Sequence, residues 1–194
     1  TNIKLTGDKS NAIYSDDDST VNLTSGDVTV GKEGLGVYTN KGTVDLTAYT
    51  GTFTLGEKSV GIYSKASTVN GGTLKVAYTD PSQKGVGIYY DGGTVTNNTT
   101  VAHTGNNLVN ILSKGADLTN TADQTVEEDS LGIYSDGGSV TNSGNITLNG
   151  DRSVGVYLDN GSKLNAIGTI TGSAATNYKV GIYAKNGSIE GKGT

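Results

Sequence analysis

Asp16-Asp17-Asp18 and Glu127-Glu128-Asp129 are the two runs of this chain whose side chains could do acid–base work. Glycoside hydrolysis needs two carboxylates facing each other across the scissile bond, about 5–10 Å apart. Neither run has a basic group beside it in the repeat set out below, except that Arg152 stacks near Asp129. Both are read as solvated turns. Calcium is the other use of acidic turns. However, no Gly-Gly-x-Gly-x-Asp repeat is present, and the Asp run lacks the alternate spacing of a ligand loop. His103 is the sole histidine, in a polar turn after Val101, and the chain has no cysteine to complete a zinc set. It is read as a surface residue. No cofactor and no metal is expected. Sequons such as Asn97-Asn98-Thr99 are read as chance in a chain so rich in Asn, Ser and Thr.

A second chemistry is aromatic. Tyr14, Tyr38, Tyr63, Tyr89, Tyr134, Tyr157 and Tyr183 each close a near-copy of the stretch VGIY, and a worn copy, VNIL, ends at Leu112. The steps between these eight positions are 24, 25, 26, 23, 22, 23 and 26 residues. A column of stacked tyrosines offers a surface suited to sugar rings or a flat protein partner. Its plainer role is to cover the glycine two residues earlier. If the chain binds anything, these seven tyrosines are the candidate site. So is the corner bearing 78–83, 125–130 and 173–178, where the turns depart from the repeat. A further insertion, 47–51, stands between strands two and three.

A period of this size over eight copies means a stacked repeat, read as one domain over 1–194 without an internal boundary. The copy from Asp136 to Tyr157 contains SVTN, NITL and SVGVY, separated by NSGN and NGDR. Short alternating runs between turn formers are half-buried strands, and nothing has helical period. Three strands per roughly 24 residues is the unit of a parallel β-helix, here all-β with about eight coils. Coil length gives the expectation of a right-handed one. Propeller blades need four strands in about 40 residues, and leucine-rich repeats need helical or 3₁₀ segments. At ~4.8 Å per coil the rod is roughly 38 Å long.

Within SVGVY, Val154 and Val156 are expected to point inward, with Gly155 and Tyr157 outward. One buried column then holds Val44, Val69, Val95, Leu118, Val140 and Leu164, and another holds Val60, Val86, Leu131, Val154 and Val180. Asn110 falls in the outward glycine column, and Asn11 is a misfit in the inward one. Asn97, Asn120 and Asn142 should bond amide to amide along the axis. Thr29, Thr54, Thr100, Thr125 and Thr147 form an outward column interrupted by Lys75. That column raises an ice-binding reading, weakened because only one Thr rank is regular.

Composition narrows the class. Thirty glycines, one proline and no Trp, Cys or Met leave a strand-and-turn vocabulary. A net charge of −5 spread along the chain argues against nucleic acid. No apolar run reaches the ~20 residues of a membrane helix. The first residue is Thr1 and no signal peptide is seen, so the chain reads as a processed piece or fragment, starting on a third strand and ending on a second.

Repeats of the form G-x-x-S-V-G-I-Y, followed by N-G-x-V-T-N-x-G-x-I-T, resemble the passenger domains of large autotransporter adhesins, particularly the fusobacterial ones. Residues 130–157 match best, with lapses at 106–128. The resemblance implies a β-helical stalk on the outer surface of a Gram-negative cell, anchored through a C-terminal membrane barrel absent from this segment. It also implies flanking coils of the same passenger and contact with a host or bacterial surface glycan or protein. The family carries no catalytic motif. The alternative reading is a carbohydrate-active β-helix enzyme, a glycan lyase or hydrolase.

Overall fold

The computed structural model describes residues 2–78, 80, 84–173 and 178–190. These residues form short strands and turns, with no helix among them. The strand-one ladder runs through β2 (Asn11–Ser15), β5 (Leu35–Asn40), β8 (Val60–Lys65), β11 (Gly85–Asp91), β14 (Leu108–Asn120), β16 (Leu131–Asn142), β18 (Val154–Asp159) and β21 (Val180–Ala184). Strand two is β3 (Thr20–Asn22), β6 (Thr43–Asp45), β9 (Thr68–Asn70), β12 (Thr94–Asn97), the far halves of β14 and β16, β19 (Lys163–Ala166) and β22 (Ser188–Ile189). Strand three is β1 (Ile3–Leu5), β4 (Val28–Val30), β7 (Thr52–Leu55), β10 (Thr73–Tyr78), β13 (Thr100–His103), β15 (Gln124–Val126), β17 (Ile146–Leu148) and β20 (Ile170–Gly172). Every strand pairing among the described residues is parallel and joins a strand to its counterpart one coil away. This is a parallel β-helix of about seven turns, close to the expected coil count.

The predicted strand-two column is the core. Val44, Val69, Val140 and Leu164 are fully buried, and Val95 and Leu118 nearly so. It faces Phe53, Leu74, Val101 and Ile146 of strand three across the coil interior. Burial of such side chains stabilises by about 1.5–3 kcal/mol each, and stacking makes every coil depend on its neighbours.

Strand one departs from simple alternation, and the second predicted column is corrected. Val60, Val86, Leu131 and Val154 are half-buried on the outside, and Val180 is 37% exposed. The inward residues are the glycine and the next aliphatic: Val37, Ile62, Ile88, Ile111, Ile133 and Val156 are fully buried. The register passes from Val86 to Ile88 and from Val60 to Ile62, skipping the glycine. Two successive inward residues on a strand are the mark of a bulge-like kink. A Cβ on Gly61 would stand 2.7 Å from the Gly87 carbonyl oxygen, and one on Gly155 2.6 Å from that of Gly181. Close approach between coils thus favours glycine at this inward position, where tyrosine does not cover it, although Asn110 and Ala12 hold a Cβ at the same place in their coils. Asn11, exposed and paired with Leu35, belongs to the outward column and is no misfit.

Strand three is also corrected. Thr54 pairs with Ala77 and Thr100 with Thr73, a two-residue offset from the expected alignment. The column of Thr29 and Thr54 thus runs to Ala77, and Thr100 falls outside it, beside Thr73. The backbone ladder of this face divides between β13 and β15. There the buried Gln124 side chain takes over. Its Oε1 accepts from the Val101 N–H at 3.2 Å, and its Nε2 donates to the Thr99 carbonyl at 3.0 Å.

Candidate functional site

The kink in strand one decides what the surface presents. With glycine and isoleucine both turned inward, the residues before and after them point out together. One face of the rod therefore carries an aliphatic column, from Leu35 to Val180, beside the tyrosine column. Two residues after each tyrosine comes a polar column, which includes Asp16, Asn40, Lys65, Asp91, Lys114 and Asp136.

The tyrosines stand outside, as expected. Tyr14 is 64% exposed, Tyr183 46%, and Tyr38, Tyr63, Tyr89, Tyr134 and Tyr157 are half-buried. They do not form one uniform stack. Tyr14, Tyr38 and Tyr63 lie ring on ring, with centroids 4.9 and 5.5 Å apart. Tyr63 to Tyr89 and Tyr134 to Tyr157 are edge contacts at 4.7 and 5.1 Å. The ordered faces cover one another, so a partner meets mainly ring edges and hydroxyls in the first coils. The rings turn edge-on at Tyr89, one coil before Leu112, where no ring stands.

Neighbouring carboxylates fix the phenols. Tyr63 Oη donates to Asp91 Oδ2 at 2.7 Å, and Tyr14 Oη to Asp16 Oδ2 at 3.2 Å. Burial, then the Asp91 carboxylate, raises the Tyr63 pKa; burial, then Asp91 and Asp136, raises that of Tyr89. Tyr63 and Tyr89 therefore stay protonated near neutral pH, and because the single Tyr63 proton is given to Asp91, its oxygen meets a partner as an acceptor.

The acidic runs are surface turns with partners. Asp16 also accepts from Asn40 Nδ2 at 2.6 Å, and its carboxyl is held below the usual range by that bond. Arg152 bridges Asp129 at 2.6 Å and Glu128 at 2.7 Å, as its place in the repeat indicated. The runs sit five coils apart, about 24 Å along the axis at ~4.8 Å per coil, too far to form one glycosidase pair.

Other residues fall where the sequence did not put them. His103 is 8% exposed, aligned with Val76 and so turned inward, a correction to its surface reading. Its Nδ1 lies 3.0 Å from the Gly105 carbonyl oxygen, its Nε2 is buried without a partner, and burial lowers its pKa. Asn110 is fully buried, not outward; its Nδ2 donates to the Thr125 carbonyl at 2.8 Å. Tyr49, in the 47–51 insertion, folds back to pack edge-on against Phe53, and its hydroxyl donates to Gly26 O at 2.9 Å. Burial, followed by the Asp27 charge, pushes its pKa up to about 12. Of the corner departures, 125–130 takes in the end of β15 and the turn from it to β16, whereas 79, 81–83 and 174–177 lie outside the described residues.

The asparagine ladder is formed and fully internal. Asn97 Nδ2 donates to Asn120 Oδ1 at 2.7 Å, and Asn120 Nδ2 to Asn142 Oδ1 at 2.6 Å. Each amide also donates to a carbonyl two residues on, at Thr99, Ala122 and Gly144. The ladder begins at Tyr90, whose buried hydroxyl donates to Asn97 Oδ1 at 2.9 Å. Tyr90 follows the outward Tyr89 directly, so only position on the pleat separates a core residue from a surface one. Compared with protein-family models, curated proteins and solved structures, the chain has no match.

Proposed function

We propose that this chain is a structural and adhesive segment of a bacterial surface protein, a stiff length of autotransporter-type passenger. On this reading it is carried outside the cell through a C-terminal outer-membrane barrel beyond the present chain. One observation carries the reading: aliphatic, aromatic and polar columns run side by side along one face of a regular stacked rod. A rod built from repeated parallel pairing transmits position and load along its length, and a striped face offers the same contact chemistry at every coil. The reading also draws on the likeness of the VGIY…VTN repeats to such passengers. Its ligand class is a surface glycan or protein that engages phenolic hydroxyls and ring edges.

Two measurements test it. Protease shaving of intact cells producing the parent protein should release peptides of this segment; their retention until lysis would overturn the surface reading. Beads coated with the chain should bind target cells or a glycan array, and Tyr134→Ser with Tyr157→Ser should reduce attachment while circular dichroism stays unchanged. Undiminished attachment by the folded double variant would remove the tyrosine face from the proposal.

A further inference from the structure

We infer that the strand-one face is self-complementary and pairs two copies of this chain face to face and antiparallel. The polar column beyond the tyrosines carries the inference. Consider a two-fold axis lying across the face between the fourth and fifth coils, so that each column meets its own reverse. Asp91 then opposes Lys114, Lys65 opposes Asp136, and Asp16 opposes Lys185, while Asn40 lies over Asp159, which is buried and bonded within its own chain. No rung sets like charges together. The corner two residues before the aliphatic column behaves the same way: Lys58 meets Asp129 and Glu33 meets Arg152.

The apolar columns fit the same axis. Val86 opposes Val109, Val60 opposes Leu131, and Tyr89 opposes Leu112, the one rung without a ring. The worn copy of the motif therefore sits beside the axis, where a smaller side chain leaves room for the opposing ring. A groove of about 470 Å³ is centred on the same place, with Val86, Val109 and Leu131 on its floor, Lys58 at one end and Asp129 at the other. A parallel arrangement lacks this match. It lays the polar column against the corner column at equal height, where Asp91 meets Lys84 and Asp16 meets Lys9 but Lys65 meets Lys58 and Asp136 meets Asp129, so its rungs are mixed. An isologous contact between antiparallel copies satisfies both columns at once.

The face is seven coil steps long at ~4.8 Å each and about 15 Å wide. It covers roughly 1,000 Å² over two copies, the lower end for a specific interface. The association is therefore concentration-dependent, and its charged rungs make it weaken with salt. The inference concerns only this chain and does not rest on its being displayed at a cell surface.

Sedimentation equilibrium over a wide concentration range tests it. Wild type should show a monomer–dimer equilibrium that shifts to monomer in high salt. Asp91→Lys alone and Lys114→Asp alone each set like charges across the axis and should weaken the dimer at least tenfold. An equimolar mixture of the two single variants should recover a heterodimer, because the introduced lysine then meets the introduced aspartate. The double variant D91K/K114D should dimerise like wild type. A wild-type chain monomeric at every concentration overturns the inference. So does a dimer indifferent to either reversal, or a mixture that fails to recover association while each variant keeps its native circular dichroism.

Discussion

The carbonyl oxygen of Asn110 stands 2.7 Å from the point where a Cβ on Gly87 would lie. The same approach recurs from coil to coil at Gly36, Gly61, Gly132 and Gly155, so a Cβ added to a glycine-bearing coil must push its neighbour, although the coils of Asn110 and Ala12 are built around one. Gly87→Ala should destabilise the chain by about 1–3 kcal/mol, the usual range for an overpacked core. Gly181 provides the control: a Cβ there would meet only Ile170 atoms at 3.8 and 3.9 Å. Gly181→Ala should be close to neutral. Urea unfolding of both variants checks the contrast, and equal midpoints would show that the stack yields at the glycine column.

A strand-two valine and the first valine of the motif should differ as sharply. Val140→Ala, within the strand-two core column, should cost about 1–3 kcal/mol through lost burial and a residual cavity. Val154→Ala, on the half-exposed outer column, should cost less than about 1 kcal/mol. Parity between them in urea midpoints would put Val154 back inside.

The period, the three-strand coil, the strand-two core and the asparagine ladder were all legible in the sequence. Each follows from residue type repeated at fixed spacing. The facing of strand one was not, because strict alternation assumes an unbroken pleat and the kink at glycine places two neighbours inward. The signal lay in the glycine column itself, since a glycine recurring between aliphatics in a strand points to a backbone approached closely by another. Strand three misled in a different way. Its copies LKV and TTV look equivalent, but β10 pairs with β7 through its last residues and with β13 through its first. That offset carried His103 from an expected surface turn into the wall of the core. On the surface, the aliphatic column next to the tyrosines was missed for the same reason as the kink.

His103 should make stability depend on pH. Its folded pKa lies below the ordinary value of 6.5 because burial disfavours the charged ring. The unfolded chain therefore takes up a proton first as pH falls, and the native state loses stability from about pH 6.5 downward until the folded ring also titrates. Above that range its contribution is complete. Urea midpoints measured from pH 7.5 to pH 5 should fall for the wild type, and His103→Gln should flatten this part of the profile. A wild-type midpoint constant across the range would contradict the buried neutral ring.

Asn120 is the middle rung of the internal amide ladder and the one with partners on both sides. Asn120→Ala removes the acceptor of one Asn97 N–H and the donor to Asn142 Oδ1, leaving both groups in the fully buried interior. An unsatisfied buried polar group costs about 1–3 kcal/mol, and the lost side-chain volume adds to it. The substitution should therefore destabilise by about 2–4 kcal/mol. Asn142→Ala strips only the acceptor from its neighbour Asn120 and should cost less. If the ladder acts as a unit, Asn97→Ala together with Asn120→Ala should cost clearly less than the sum of the two single changes, because the second deletion removes a group the first had already left unpaired. Additive losses in that double-mutant cycle would show that each amide is held by its own backbone carbonyl alone, and that the axial bonds at 2.6 and 2.7 Å contribute nothing to holding the coils in register.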